Sequence, residues 1–544
     1  MKKTKKTKRP ALALAGLIGL SLIACGGKSS SSSSGTASGG ASSGGSAKSA
    51  SITVEVFDRG TDGGKSDPTN NEWTKWIKEK VKKDENIDVT FVRVPRGDET
   101  AALNNLMAAG NPPDVCLTYS QELIGNYRDL GGLLDLSSYI DSLLPDLKKF
   151  LGPDVALPGR DMIRRNQDVE SGKLFSIPAR RMNTAMLNLF MRKDWLDKLS
   201  LPLPTTTEEF YNALTAFKNN ADQLLGSDAR NMIPYSMTSD VRWNAGAILN
   251  AFVDPKLAPK ERWINTVVDR YLTVPGYKDG IRFLNKLYNE GLIDKNFPLY
   301  KSEEEQTNLI KSGFIGSMGH NWDQIYRSDA KILADLQKNV PGADLVPIDA
   351  IRSSDGITHK AAYDPAGVNF FIPASCKNPE AALRYINWLA RFENYHFLQI
   401  GPEGVVHDIV DGIPKLKVAS GLWIQNSAQN IDYTIMMNGL DLGDEALNAK
   451  ALANAYPWPT EVIANAYTVA MTNAAPGPVV PVSLSAAGPV TQTLTDKASN
   501  VISTSITAKP EDFDRVWDAG VADWLSSGAQ SVIDERRAKY PANM

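Results

Sequence analysis

Histidine and cysteine are both scarce in these 544 residues, with four of the first and three of the second. His320, His359, His396 and His407 are widely dispersed and none belongs to a His-Glu-x-x-His pair, so no metal site is expected. Cys116 and Cys376 sit in apolar surroundings, Val115-Cys116-Leu117 and Pro373-Ala374-Ser375-Cys376, which favours two buried thiols over a disulfide. No stretch after residue 24 approaches 18 uninterrupted apolar residues, so the body of the chain is expected to be soluble. Basic charge is not in excess either: the formal net charge is -3, which argues against nucleic acid, whose phosphates demand a basic face. Gly63-Gly64-Lys65-Ser66 has the end of a phosphate loop, but Arg59 stands where that pattern needs its first glycine. Gly316-Ser317-Met318-Gly319 lacks the spacing of a nucleophile elbow. Asp62, Asp67, Asp441 and Asp444 do not supply the alternating ligands of an EF-hand. No catalytic residues and no cofactor are therefore expected, although a glycosidase-type carboxylate pair among 62 acidic residues is not excluded by sequence.

What is present begins at the N-terminus. Met1 to Pro10 carries five lysines and Arg9, and an apolar run follows from Ala11 to Ala24. At 14 residues the run falls short of the ~20 a spanning helix needs, so it reads as a removable signal. Leu22-Ile23-Ala24-Cys25 resembles the bacterial lipoprotein signal, which implies cleavage before Cys25 and lipid on its thiol. Loss of residues 1–24 removes six positive charges and leaves a mature chain near -9. Residues 26–51 are almost wholly Ser, Gly and Ala, a composition that buries too little to offset its ordering entropy. Such a coil spans ~25–30 Å and acts as a tether between membrane and body.

From Ser51 the pattern alternates. Ile52–Phe57 reads as a strand, Pro68–Val81 as a helix with Trp73, Trp76, Ile77 and Val81 on one face, and Ile87–Val94 as a second strand. Asp98–Ala109 reads as a second helix and Asp114–Leu117 as a third strand. This order argues for an α/β fold with a parallel sheet. Ligands of such sheets sit beyond the carboxyl ends of the strands, which places Asp58, Arg59, Tyr119 and Gln121 among the candidate binding residues. Glu511 to Tyr540 is amphipathic, with Phe513, Val516, Trp517, Trp524, Leu525, Val532 and Ile533 at helical spacing, and is expected to pack on its own lobe. Ala451 to Ser505 gives no clear periodicity.

Seven segments stand out in order: Leu106 to Val115, Gly131 to Ile140, Gly172 to Pro178, Arg192 to Leu199, Pro204 to Phe210, Leu284 to Asp294 and Asn378 to Trp388. Together they resemble family 1 extracellular solute-binding proteins, the sugar-capturing components of ABC importers, in their large lipoprotein subclass. The resemblance implies a type II periplasmic-binding-protein-like architecture, two α/β lobes with ligand held in the cleft between them. It places lobe 1 at residues 52–178 plus about 367–425, and lobe 2 at 183–360 plus about 426–544. The chain would cross between lobes near Ile177 to Arg180 and again near Ala361 to Val368, which brings Tyr363 to the cleft.

Sugar binding needs aromatic rings to stack on pyranose faces and planar polar groups for the hydroxyls. Arg242-Trp243-Asn244, His320-Asn321-Trp322 and Trp458 offer such groups. The place of Trp322 is where the family tends to put a stacking tryptophan. For any one tryptophan, burial in a core competes with stacking. Arg59, Arg180, Arg181 and Arg242 form a cationic set suited to an anionic or uronic-acid-containing saccharide, or alternatively to hinge salt bridges. The expected protein is a monomeric, non-catalytic lipoprotein held by Cys25 on the extracytoplasmic face of a cell membrane. It would close on an oligosaccharide and pass it to separate ABC permease subunits. A peptide or other non-sugar ligand, a sensory partner of a membrane kinase, and a surface polysaccharide-processing enzyme are the competing readings.

Overall fold

The computed structural model describes residues 49–58, 67–153, 161–300, 303–327, 330–349, 351–417, 436–478, 480, 482 and 484–540. Cys25, the signal and nearly all of the tether lie outside them, as do Arg59 and the Gly63-Gly64-Lys65-Ser66 segment. Among the described residues no helix is long and apolar enough to cross a membrane.

Strand β1 (Ala50–Asp58) pairs in parallel with β2 (Ile87–Pro95); β2 alternates buried and outward side chains, whereas β1 is buried on both faces from Val54 to Phe57. Helix α1 (Glu72–Glu85) connects them. It begins four residues later than the apolar spacing predicts, because Asn71 caps it: its side chain accepts from the Thr74 N–H while the Thr74 hydroxyl accepts from the Asn71 N–H. At the other end Asn86 takes the left-handed conformation and stops it. Trp73, Ile77 and Val81 are buried as expected, and Trp76 stacks on Phe397 at 4.1 Å. Helix α2 (Glu99–Ala108) leads to β3 (Cys116–Thr118), tied to β1 by a parallel bridge from Val115 to Val54. Both thiols are free; burial pushes Cys376 up to about 12 and Cys116 well up, so neither is poised to react.

The sheet is not parallel throughout. Strand β4 (Ile177–Arg181) leads out of this lobe, and β5 (Leu187–Arg192), wholly buried, opens the second. There β6 (Ile233–Ser236), β7 (Ile315–Asn321) and β8 (Leu345–Ile348) complete a sheet of order β6-β7-β5-β8. The chain returns through β9 (Lys360–Ala362) into β10 (Ala366–Phe371), which inserts antiparallel between β3 and β4 because it enters from the opposite lobe. After the hairpin β11 (His407–Val410) and β12 (Ile413–Leu416), strand β13 (Met437–Asn438) adds in parallel to β4. The segment from residue 426 is expected in lobe 2, yet Met436 is buried with the lobe 1 core, and the chain re-enters lobe 2 only afterwards. It then forms the helices Glu445–Asn454 and Thr460–Met471, and β14 (Ala474–Pro476), which pairs with β9. Among the described residues the chain thus crosses between lobes three times.

The cores separate accordingly. One gathers Val54, Phe91, Leu117, Ile177, Phe370 and Trp388. The second lobe holds a cluster with Phe210, Tyr235, Ile248, Leu284, Trp517 and Trp524, and another with Phe190, Met318, Tyr326 and Ile463. The C-terminal pattern folds as the helix Phe513–Trp524, a π turn over Leu525–Ala529 and the helix Gln530–Lys539. Its stripe meets its own lobe: Trp524 is fully buried and its indole N–H donates to the Leu494 carbonyl at 3.0 Å.

On the outer face Arg282 and Lys278 grip Asp514 at 2.6 Å and 2.8 Å and hold its carboxyl well below the usual range. A depressed carboxyl stabilises the fold above its unfolded value near 3.8, and that contribution is lost as pH falls toward the folded value. Asp514→Asn should therefore lower the melting temperature slightly at neutral pH, with the gap to the unaltered protein closing as the solution is acidified. A gap that persists unchanged on acidification would show that the loss does not come from the Asp514 charge, and no gap at neutral pH would show the pair to be energetically silent.

Candidate functional site

Three chain crossings bring the carboxyl end of the lobe 1 sheet against one edge of lobe 2, and the polar and aromatic groups collect there. On the lobe 1 side, Tyr119 follows β3 and stacks on Phe57 at 6.1 Å with an interplanar angle of 18°. The Arg96 guanidinium lies over both rings, 4.5 Å from Tyr119 and 5.2 Å from Phe57, and pairs with Glu99 at 2.8 Å. Glu99 also accepts from the Tyr119 N–H and the Thr118 hydroxyl, which fixes this turn. Ser120 then caps helix α3 (Gln121–Asp129), its hydroxyl accepting from the Leu123 N–H. Capping aims Gln121 at a knot of amides: its nitrogen donates to Asn369 at 3.1 Å and to Asn166 at 3.3 Å. Alongside runs a small groove, open to solvent, lined by Gln121, Ile124, Arg128, Asn166 and Phe175, with Val482 approaching from the lobe 2 chain.

On the lobe 2 side, the helix Val241–Leu249 is capped by Asp240 and bolted to β7 through Asn244. The Asn244 side chain donates to the Gly319 carbonyl at 3.0 Å and accepts from the Thr238 N–H and hydroxyl. This sets Trp243 edge-on to His320 at 6.3 Å and tilted against Tyr363 at 6.4 Å. The Asn321 N–H donates to His320 Nδ1 at 2.7 Å, so Nε2 carries the ring proton, and Glu303 Oε1 stands 3.0 Å from it. The Asn321 amide bridges Tyr363 and Arg327, meeting each at 3.2 Å with its nitrogen toward the phenol and its oxygen toward the guanidinium. Arg327 is itself held by Asp323.

Between the two sides sits the hinge. The Tyr363 N–H donates to the Thr184 carbonyl and the Arg181 N–H to the Pro365 carbonyl, and the Arg181 guanidinium lies 4.3 Å above the Tyr363 ring. Burial pushes the Tyr363 phenol up to about 12 against the pull of Arg181 and Arg327, and Tyr119 of lobe 1 is close enough to add to the rise. The phenol is accordingly a neutral hydrogen-bonding group at physiological pH.

Of the fourteen residues marked in the sequence, Tyr119, Arg181, Trp243, His320, Asn321 and Tyr363 are brought together here, with Gln121 beside them. Others serve the frame. Arg180 points to the opposite face of β4 from Arg181, as strand alternation requires. It is fully buried, donates to the Phe150 carbonyl at 2.9 Å, and burial lowers it to about 10. Trp322 is packed edge-on against Tyr456 and Tyr467 rather than offered to a sugar, being on the core side of the turn after β7. Trp458 is half-buried against Tyr326, whose carbonyl its indole N–H reaches at 3.0 Å. Arg242 turns toward Asp269, 3.9 Å away, and Asp58 toward Arg93 at 3.4 Å. Arg59 is outside the described residues. Phe57, Arg96, Asn166, Asn369 and Glu303 went unmarked, although Arg96 follows the carboxyl end of β2 and obeys the rule that pointed to Tyr119.

Two further contacts join the lobes. Arg536, on the last helix, donates to the Trp263 carbonyl at 2.9 Å, lies over that indole at 4.7 Å and reaches Glu122 of α3 at 3.2 Å. Gly488 approaches Asn126 so closely that a Cβ there would sit 1.7 Å from the amide nitrogen. Among the described residues no cluster of three or more His, Cys, Asp or Glu could hold a metal ion.

Two α/β lobes, a hinge of extended segments and an aromatic, amide-rich cleft define a type II periplasmic-binding-protein-like clamp. The structure of the alginate-binding protein AlgQ2 without calcium ion has the same fold, with a TM-score of 0.63 at 19% identity over 90% of this chain and 97% of that one. Residues 66–394 match the model of the bacterial extracellular solute-binding proteins, and the chain belongs to that family. It is 26% identical over 346 residues to the polygalacturonan/rhamnogalacturonan-binding protein YtcQ of Bacillus subtilis, covering 60% of this chain and 62% of the relative. It is 24% identical over 320 residues to the fructooligosaccharide ABC transporter substrate-binding protein FusA of Streptococcus pneumoniae, covering 56% and 55%. The chain thus spans roughly three fifths of the length of these curated relatives.

Proposed function

We propose that the protein is a non-catalytic binding component that closes on an oligosaccharide and delivers it to the permease of an ABC transporter. The observation that carries this reading is the set of Trp243 and Tyr363 with the Asn321 amide against the Tyr363 phenol, and of Tyr119 and the Gln121 amide on the lobe 1 side. Rings offer apolar faces to pyranose C–H groups, and amides donate and accept within one plane, as vicinal hydroxyls require. Ligand contacts made on both lobes at once favour the closed arrangement, so binding and closure are one event. The saccharide-binding names of the two relatives support the ligand class, and the transporter component among them supports the destination.

The signal pattern before Cys25 supports lipid attachment there, with the Ser/Gly segment as tether and the body, a monomer, on the extracytoplasmic face. Cys25→Ala should abolish incorporation of labelled fatty acid and release the protein from the membrane fraction; retention of both would overturn the anchoring.

Ligand capture is tested by thermal melting of the full chain in detergent against a panel of neutral and acidic oligosaccharides. Saccharide at ~100 times its dissociation constant adds about 2.7 kcal/mol of stability. A rise with one class, the sugar being recovered intact, is the expected result. Shortened sugar products would replace this reading with an enzymatic one.

A further inference from the structure

Most of the arginines around the cleft are already spoken for among the described residues. Arg96 pairs with Glu99, Arg128 with Asp129 and Asp168, Arg165 with Asp364, and Arg327 with Asp323. Arg242 has Asp269 at 3.9 Å, and Arg180 is buried on the far face of its strand. Arg181 has no carboxylate partner among the described residues. It is nonetheless held in place. Its N–H is bonded across the hinge to Pro365, its strand is flanked by β10 and β13, and its guanidinium rests on the Tyr363 ring. Stacking on an aromatic face fixes the plane of the fork and leaves the N–H groups at its edge to meet a ligand.

The neighbouring anions do not cancel this charge. Glu303 faces His320, Asp323 is shared by Arg327 and the Tyr456 hydroxyl, and Asp364 is taken by Arg165. A half-buried, oriented guanidinium with no carboxylate partner among the described residues, beside aromatic rings, is a receptor for a carboxylate, since a planar carboxylate can take two of its N–H groups at once.

We infer that the saccharide captured in this cleft is a uronate and that Arg181 receives its carboxylate, a step that rests on the saccharide reading above. Arg181 is then the specificity-determining residue: the rings and amides hold any pyranose chain, and Arg181 selects the acidic one.

The test compares the full chain with Arg181→Gln and Arg181→Lys. Titrations use oligomers of galacturonate, mannuronate and glucuronate, the methyl esters of each, and neutral oligosaccharides of the same lengths. Each ester keeps its parent's sugar skeleton, loses the charge and gains only a methyl group. The unaltered protein should bind one acid on the order of 10–100-fold more tightly than its ester. Arg181→Gln should erase that preference while leaving the ester's affinity within about threefold, and Arg181→Lys should fall between, keeping charge but losing the fork. Melting temperatures of the three empty proteins should differ by no more than the small contribution of stacking on Tyr363, because the Arg181 side chain has no carboxylate partner to lose among the described residues. Equal affinity of the unaltered protein for acid and ester, or a preference for the acid that survives in Arg181→Gln, would overturn the uronate assignment and leave the saccharide reading standing. Failure of every saccharide to bind a well-folded sample would overturn both.

Discussion

Trp243→Ala is expected to weaken saccharide binding by about 30- to 150-fold while leaving the empty protein's melting temperature nearly unchanged. Trp243 is half-buried and has few duties in its own core: it touches His320 of its own lobe and Tyr363 of the hinge, and the helix that carries it is secured by Asn244 instead. Truncating an aromatic anchor at the centre of a binding site costs about 2–3 kcal/mol, and 1.4 kcal/mol is tenfold in affinity. Trp243→Phe should recover most of the loss, because a smaller ring still stacks. Calorimetric titration of the two variants decides it. Binding by Trp243→Ala within threefold of the unaltered protein would remove Trp243 from the site.

Gly319→Ala should damage fold and site together. A Cβ at Gly319 would fall 1.8 Å from the Asn244 carbonyl oxygen and 3.3 Å from the Tyr235 hydroxyl. That hydroxyl already donates to the same carbonyl at 2.6 Å, and the obstruction is backbone that cannot swing aside. The helix Val241–Leu249 must therefore lift away from β7. Overpacking of this kind costs about 1–3 kcal/mol, and the displaced helix takes Trp243 with it. The melting temperature should drop and affinity should fall as well, whereas Gly477→Ala, with nothing within 4 Å of its added methyl, should change neither. An unperturbed melt for Gly319→Ala would mean that helix and strand are not held as described.

How far such residues were legible from sequence depended on whether the deciding information was local. Tyr119 and Gln121 were marked because a strand-helix alternation fixes where its loops emerge. Arg180 and Arg181 looked interchangeable, and only the face that β4 buries separates a structural guanidinium from an available one. Trp243 and Trp322 have the same neighbours in kind, a polar residue on either side or nearly so, and nothing within ten residues says which ring meets a core. The return of β10 between β3 and β4, and the addition of β13 beside β4, join segments more than 180 residues apart that carry no mutual signature. The helix Thr491–Thr507 was invisible for another reason: its buried positions include Ala498 and Ser505 beside Leu494, Val501 and Ile506, so small and polar side chains face inward and blur the apolar period. By contrast the stripe from Phe513 to Ile533 is built of large residues and read true.

Arg536 attaches the far end of the chain to the speed of the clamp. Separation of the lobes about the hinge has to part its guanidinium from Glu122, and it stands on a helix anchored to Trp263. The contact exists only while the lobes are together, so it adds to the barrier for escape and nothing to the first encounter. Its loss would shorten the residence time of a bound solute with little effect on the association rate. A residue remote in sequence from every sugar-facing group would in this way set how long the cargo stays aboard.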